Sequence, residues 1–513
     1  MSTTLGRRPR TRLVGTLVLL AALTLAACAN ASGVSTLGAA ESDGNPFTPP
    51  EEILTGSTAP VDPDDTTPEP PPPTVPGRTT ELLDAGVNKP SRPYDDLVEA
   101  ALNDIEVFWA EQYPAIYGEP FQPLEGRVYA GYPERTTPIP GCGPDDETTY
   151  DELIFYAAFY CPDGDFIVYD DGHEGLLYYL AEALGPSVIA VVLAHEYGHA
   201  IQYRFGGLDR NIDTIYTEQQ ADCFSGAWVG RVVGGDAPGV TMTDNDVRAG
   251  LIALIEVRDP IGIDQLTPGG HGSGFDRVGA FQVGFLEGAP RCAELLDDPL
   301  PLMPNIFIPG SEGDGDGNAP YGYDPEANQI PGFAATALND YWTAVLGESF
   351  GSLTLVPFDS IEEVRCDEAL LGDPEIGALL CTSSSTVYIE EPLAQELYAE
   401  FGDFALGYML GSAWSDAAQV ALESPLQGEE RALLNDCLVG AWTATLVPDE
   451  EGNVVRGTVY IEPGDLDEAI QTVIRVGDPK ADDDILGSAF EKVSAFRQGV
   501  LNGVSACQAM LDD

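Results

Sequence analysis

Apolar and polar positions fall into patterns that change from region to region. Residues 13–25 form an apolar run, whereas 41–80 is polar and holds eleven prolines, too little hydrophobic content to bury a core. Beyond about residue 93 the pattern is that of a folded protein. Short apolar runs, Phe166-Ile167-Val168-Tyr169 and Thr386-Val387-Tyr388-Ile389, predict strands. Gly185-Pro186-Ser187 reads as a helix start, and the apolar run 188–193 behind it continues into polar residues at helical spacing. After a loop, Glu218 opens a second helical stretch. The expectation is an α+β fold in which a small sheet packs on the first helix and a mainly helical remainder follows.

The pattern occurs twice. Ala101-Leu102-Asn103-Asp104, followed by Trp109, returns as Ala337-Leu338-Asn339-Asp340 followed by Trp342. Cys142 and Cys161 precede the first strand-like run as Cys366 and Cys381 precede the second. Asp222-Cys223-Phe224-Ser225-Gly226-Ala227-Trp228 returns as Asp436-Cys437-Leu438-Val439-Gly440-Ala441-Trp442. The stretch 273–288, four residues before Cys292, returns as 488–503, four before Cys507. Two homologous units are therefore expected, 93–299 and 331–513, joined by a linker over 300–330 and free to pack on each other. Eight of the nine cysteines fall into two equivalent sets of four. The simplest connectivity is Cys142 with Cys161, Cys223 with Cys292, Cys366 with Cys381 and Cys437 with Cys507, although four cysteines permit three pairings per unit.

Charge narrows the function. The 513 residues carry 23 Lys+Arg against 84 Asp+Glu, a net charge of −61, while 44% hydrophobic residues exclude wholesale disorder. So acidic a surface repels phosphate backbones, and nucleic acid is not an expected partner. The ninth cysteine, Cys28, follows Arg7, Arg8, Arg10, Arg12, the apolar run and Leu25-Ala26-Ala27. That run is shorter than the roughly 20 residues a spanning helix needs. The segment resembles a bacterial lipoprotein signal peptide over 1–27 with Cys28 as the lipidated residue. The resemblance implies a protein anchored by lipid alone to the extracytoplasmic face of the cell membrane, where disulfides persist. Residues 28–92 then form a Pro-rich acidic tether, and loss of the four arginines takes the charge from −61 to −65. Arg7-Arg8 leaves Sec and twin-arginine export both open.

The first unit carries candidate chemistry in His195-Glu196-Tyr197-Gly198-His199. Residues four apart share a helix face, so His195 and His199 can reach one ion while Glu196 meets a water beside it. A zinc hydrolase needs a third protein ligand and an open position. Glu218 and Asp222, also four apart, suit a carboxylate ligand and an acceptor that orients a ligating histidine through its other ring nitrogen. His271, in Gly269-Gly270-His271-Gly272, is the candidate donor to the oxyanion of a tetrahedral intermediate. His173 reads as a helix-start residue. The run 166–169 is either a plain sheet strand or an edge that pairs with extended substrate.

These motifs resemble the bacterial neutral zinc metallopeptidase family, glutamate-ligand zincins that combine HExxH with a downstream ExxxD. The resemblance spans about 95–295 and includes Phe159-Tyr160-Cys161-Pro162 and His271-Gly272-Ser273 with Arg277. Two positions depart from it: Gln219 stands where the family has an apolar residue, and Asp276 where it has glutamine. It implies a zincin-like unit duplicated in tandem, Zn2+ as cofactor, a peptide or protein substrate, and hydrolysis by a zinc-activated water with Glu196 as general base. The second unit has Ser412-Ala413-Trp414-Ser415-Asp416 where the zinc helix belongs, Ala432 opposite Glu218 and Leu486 opposite His271. It is expected to be a degenerate pseudopeptidase domain. The alternative is a non-catalytic zinc-binding surface lipoprotein that serves as a binding or scaffold module.

Overall fold

In the first half the chain runs β1 (Leu83–Asp84), α1 (Asp95–Tyr117), β2 (Val128–Gly131), β3 (Ile139–Pro140), β4 (Glu147–Thr148), α2 (Tyr150–Leu153), β5 (Ala158–Cys161), β6 (Phe166–Asp170), α3 (Leu176–Leu184), α4 (Ser187–Arg204), α5 (Thr214–Val233), α6 (Asp244–Glu256), α7 (Gly274–Glu287) and α8 (Ala289–Glu294). In the second it runs β7 (Tyr321–Gly322), β8 (Ile330–Pro331), α9 (Gly332–Leu346), β9 (Thr354–Phe358), β10 (Leu370–Leu371), β11 (Ala378–Cys381), β12 (Thr386–Glu390), α10 (Glu391–Phe401), α11 (Phe404–Ala421), α12 (Gly428–Ala444), α13 (Pro463–Val476), α14 (Ala489–Asn502) and α15 (Val504–Asp512). This computed structural model describes residues 81–143, 147–154, 156–303, 318–367, 370–372, 376–448, 461–476 and 488–512. The expected signal peptide, Cys28, the tether up to residue 80, the middle of the expected linker and Leu486 lie outside the described residues. Among the described residues no helix is long and apolar enough to cross a membrane.

The fold is α+β. Among the described residues the elements from α1 and from α9 follow one order, a helix, a strand, an antiparallel hairpin, then six helices, with β3, β4 and α2 inserted before the hairpin in the first half and β10 in the second. The sheets run β1-β2-β6-β5 and β10-β11-β12-β9. In each, the hairpin's second strand also pairs in parallel with the strand after the first helix, β2 with β6 and β9 with β12. β6 is thus central: of the two readings of this run, it is the plain sheet strand and not an edge for substrate. All five of its residues are buried, as a continuous apolar run covered on both faces requires. The outer strand is β5.

The tether also ends earlier than residue 92. Leu83 and Asp84 pair with Val128 and Tyr129, and Asp84 meets Arg127 at 2.7 Å and Arg135 at 2.8 Å. Leu82 is buried beside them. An apolar Leu82-Leu83 pair closing a proline-rich stretch carries enough burial to join the sheet.

Four disulfides join Cys142 to Cys161, Cys223 to Cys292, Cys366 to Cys381 and Cys437 to Cys507. Two glycine pairs let helices approach closely. A Cβ on Gly226 of α5 would lie 2.0 Å from the Phe281 carbonyl oxygen, and one on Gly284 of α7 would lie 1.8 Å from that of Cys223. Gly440 of α12 and Gly499 of α14 meet the Phe496 and Cys437 carbonyls at 2.0 and 1.9 Å in the same way. Any side chain there would push the helices apart.

The halves share one hydrophobic core and meet through α7 and α14. Gln282 Nε2 donates to the Phe490 carbonyl at 2.8 Å, while Arg497 Nε donates to the Phe275 carbonyl at 3.1 Å. Counted from the N-cap residues Ser273 and Ser488, Gln282 and Arg497 are equivalent, as are Phe275 and Phe490. The contact is reciprocal, like that of a two-fold dimer written into one chain. Arg258 with Asp467 at 2.7 Å adds an ion pair across it.

Candidate metal centre

Helix α4 begins after Gly185 and Pro186 and carries its apolar residues into the core, so its C-terminal turns bring His195, Glu196 and His199 to the face of α5. Approach is close because residue 198 is glycine: a Cβ there would touch Ala221 Cα at 3.0 Å. The Ser225 hydroxyl fixes the register by donating to the Val191 carbonyl at 2.8 Å. Glu218, on the first turns of α5, then reaches both imidazoles. His195 Nε2 lies 3.3 Å from Glu218 Oε2, His199 Nε2 lies 3.4 Å from Glu218 Oε1, and the two Nε2 atoms are 3.2 Å apart.

The other ring nitrogens fix the tautomers. His195 Nδ1 donates to Asp222 Oδ1 at 2.7 Å, and Asp222 accepts two further bonds from Arg277, at 2.9 Å from Nε and 2.8 Å from a terminal nitrogen. His199 Nδ1 donates to Gln202 Oε1 at 2.9 Å; the amide orientation of Gln202 is set because its nitrogen donates to the Thr217 carbonyl at 2.6 Å. With both Nδ1 atoms donating outward, the two Nε2 atoms turn toward each other and toward a carboxylate, a cluster that a bound proton or a metal ion must neutralise. Glu218 Oε2 is buried and accepts no hydrogen bond. Such a cluster requires a positive charge at its centre.

Electrostatics agree with that requirement. Burial opposes a charged His195, but the Asp222 and Glu218 carboxylates outweigh it and push the imidazole up to about 10 in the metal-free protein. His199 is raised as well, against burial, mainly by Glu218. Burial works against the Glu218 carboxylate, yet the charges of His199 and His271 hold it well below the usual range. Asp222 is lowered in the same manner by Arg277. His195, His199 and Glu218 each offer an atom within 4.8 Å of the others. A tetrahedral ion bonded at about 2.0–2.1 Å spaces its ligands about 3.3–3.4 Å apart, which matches these donors, so the residues present fit Zn2+.

Glu196 is 7% exposed and makes no hydrogen bond or ion pair among the described residues; it acts electrostatically on His199. His271 stands in a loop tied down by Asp259, which accepts the backbone N–H of His271 at 2.7 Å and of Gly272 at 2.8 Å, with the His271 Nδ1 3.5 Å from its other oxygen. The imidazole is one-third exposed. His173 stands exposed beside Glu174, outside the cluster. Gln202 and Asp259 are positioning residues to which sequence reasoning assigned no role; Gln202 lies one turn after His199, and Asp259 stands in Val257-Arg258-Asp259-Pro260, matched by Val476-Gly477-Asp478-Pro479 in the second half of the sequence. Asp276, at the third residue of α7, faces Met303 rather than the metal cluster, accepting its N–H at 3.0 Å.

Among known proteins, no family model and no solved structure matches the chain. The chain is similar to uncharacterized proteins of Mycobacterium tuberculosis and Mycobacterium bovis, 29% identical over 219 residues that cover 38% of this chain and 69% of each relative.

Proposed function

We propose that the protein is an extracytoplasmic, lipid-anchored zinc-dependent peptidase whose chemistry resides in the first half. The observation that carries this reading is the arrangement at the α4–α5 contact: two imidazole Nε2 atoms and a carboxylate converge within 3.4 Å of one another, at the spacing of ligands about one ion, with Glu196 next to the first of them. Bound zinc supplies Lewis acidity and lowers the pKa of water toward about 7. Asp222 and Gln202 hold the imidazoles in the tautomer that presents both Nε2 atoms. Glu196 accepts a proton as water adds to the peptide carbonyl and returns it to the nitrogen as the C–N bond breaks. His271, braced by Asp259, donates to the oxygen that gains charge. β5, packed on α4, offers an outer edge for main-chain pairing with an extended substrate.

We read the second half as a degenerate copy of one zincin-like unit. Ser412, Ala413, Asp416 and Ala432 stand at the positions of His195, Glu196, His199 and Glu218, so that half holds no equivalent donor set. Elemental analysis of the purified protein together with a peptide-library digest tests the proposal. One zinc per chain and cleavage that Glu196→Gln removes without loss of metal are expected. Bound zinc with no cleavage of any library peptide would instead favour a non-catalytic binding module.

A further inference from the structure

The second half gathers three acidic residues at a place where the first half has one. Asp403 precedes α11 as Pro186 precedes α4. Asp465 accepts the N–H of residue 462 at 2.9 Å, as Asp246 on α6 accepts that of Thr243 at 2.8 Å, and Glu468 three residues on corresponds to Ala249. Asp403, Asp465 and Glu468 each offer an oxygen within 4.8 Å of the others. Asp403 and Asp465 line a cavity of about 150 Å³ that also touches Asn328, Phe404 and Trp442.

Two observations separate this cluster from an ordinary acidic patch. Asp403, which lines the cavity, is only 7% exposed, and its Oδ1 is buried with no hydrogen-bond partner. Its Oδ2 is already held by the Ala319 N–H at 2.8 Å, so the free oxygen is fixed in direction. Glu468 is likewise aimed: its Oε2 accepts the Phe404 N–H at 2.8 Å, and it fits there because residue 402 is glycine, whose Cβ would lie 2.1 Å from Glu468 Oε1.

We propose that Asp403, Asp465 and Glu468 form a binding site for Ca2+, distinct in ligand chemistry from the histidine cluster. All the donors are hard oxygens, the cavity leaves room for water to complete a coordination shell of six to eight, and no nitrogen or sulfur ligand is present to select a transition metal. Without a cation, burial works against all three charged acids, and the Glu462 carboxylate opposes that of Asp403 as Asp403 opposes those of Asp465 and Glu468. Binding would also order the start of α13, whose Asp467 accepts the Phe275 N–H at 2.9 Å and pairs with Arg258. The same ion would thereby brace the contact between the halves. The proposal does not depend on the peptidase reading.

The test uses the full chain freed of metal by a chelator, in about 0.15 M NaCl to screen surface charge. Tb3+, a luminescent substitute for Ca2+, is expected to bind beside Trp442 and give tryptophan-sensitised emission that Ca2+ competes away. Ca2+ at about 5 mM is expected to raise the unfolding temperature by about 2 °C or more. Asp403→Asn and Glu468→Gln should each abolish both responses while leaving the metal-free unfolding temperature unchanged or higher, since a buried repulsion is relieved. The proposal is overturned if the parent protein shows neither emission nor shift. It is also overturned if the responses survive both substitutions, or are lost in His195→Ala instead. Should the variants fail to fold, the parent protein's Tb3+ emission and its competition by Ca2+ still decide.

Discussion

Helices α4 and α11 hold the same place in the two halves, and so do α5 and α12, yet what the pairs share differs from what they do not. Both keep a buried acid on the second helix, Asp222 or Asp436, facing a cation on the helix that follows the N-cap serine. Arg277 meets Asp222 at 2.8 Å, and its equivalent Lys492 meets Asp436 at 3.6 Å. Both keep the glycine pairs and the disulfide from the second helix. The acid–cation pair therefore belongs first to the fold, and Asp222 acquires its second task only because His195 stands beside it. In the second half the Tyr408 hydroxyl donates to Asp436 instead, and Asp416, at the position of His199, is neutralised by Arg431 at 2.8 Å. The same helical frame thus carries a histidine–carboxylate cluster in one half and other polar partners in the other.

That comparison can be broken most directly by making the first half resemble the second. His195→Ser combined with His199→Asp is expected to take zinc content from one per chain to none and peptide cleavage to background, with the circular dichroism spectrum unchanged. Glu196→Gln separates metal holding from chemistry: zinc stays, and kcat falls by about 10²–10⁴-fold, the range of a general base. A Glu196→Gln protein as active as its parent would remove Glu196 from the mechanism.

Much of this was legible in the residues, and the parts that were not have physical causes. His195 and His199, like Glu218 and Asp222, sit at four-residue spacing on a helix, so one period reveals each pair's common face, with Glu196 next to the first. The repeat likewise exposed the cysteine sets. β6 was harder, because whether a strand is central depends on its partner β2, some forty residues earlier and parallel; its unbroken apolar run was the available signal. Leu82-Leu83 lay at the end of a proline-rich stretch whose composition masked its pairing. Gln202 and Asp259 act through hydrogen bonds whose partners no spacing rule supplies. Asp403 and Glu468 are 65 positions apart and meet only because α13 crosses the start of α11.

The positioning residues give smaller effects that sharpen the comparison. Gln202→Leu removes the acceptor that fixes His199 and is expected to weaken zinc binding about 10–100-fold in a chelator competition. Gln419→Leu, the equivalent change in the second half, leaves that affinity unaltered, and an equal loss in both would deny Gln202 its role. Protons compete for the same site. His195 in the metal-free protein is pushed up to about 10, so zinc must displace a proton, and apparent affinity rises about tenfold per pH unit between about pH 7 and 9. The raised pKa stabilises the metal-free fold below the ordinary histidine value of about 6.5, and that contribution is lost as pH climbs toward 10. The unfolding-temperature gain from zinc should therefore grow with pH; a flat response would argue that Asp222 and Glu218 do not hold a proton on His195 in the metal-free protein.

The smallest predicted effect concerns the third residue of the helices that join the halves. Glu491 on α14 completes a capping box, accepting the Ser488 N–H at 2.8 Å. Its equivalent Asp276 turns away to hold Met303 and lies fully buried, and burial pushes its carboxyl up to about 7 despite that hydrogen bond and the charge of Arg497. An acid whose folded pKa exceeds its unfolded value of about 3.9 binds more protons when folded, so it costs stability as pH rises from about 4 to 7 and the full cost persists above that. Asp276→Asn keeps one acceptor for the Met303 N–H and removes the charge. Its unfolding temperature should exceed the parent's by about 2 °C at pH 8 and match it near pH 4. A variant less stable at pH 8 would show that the charge on Asp276 is used, through Arg497, to hold the two halves together.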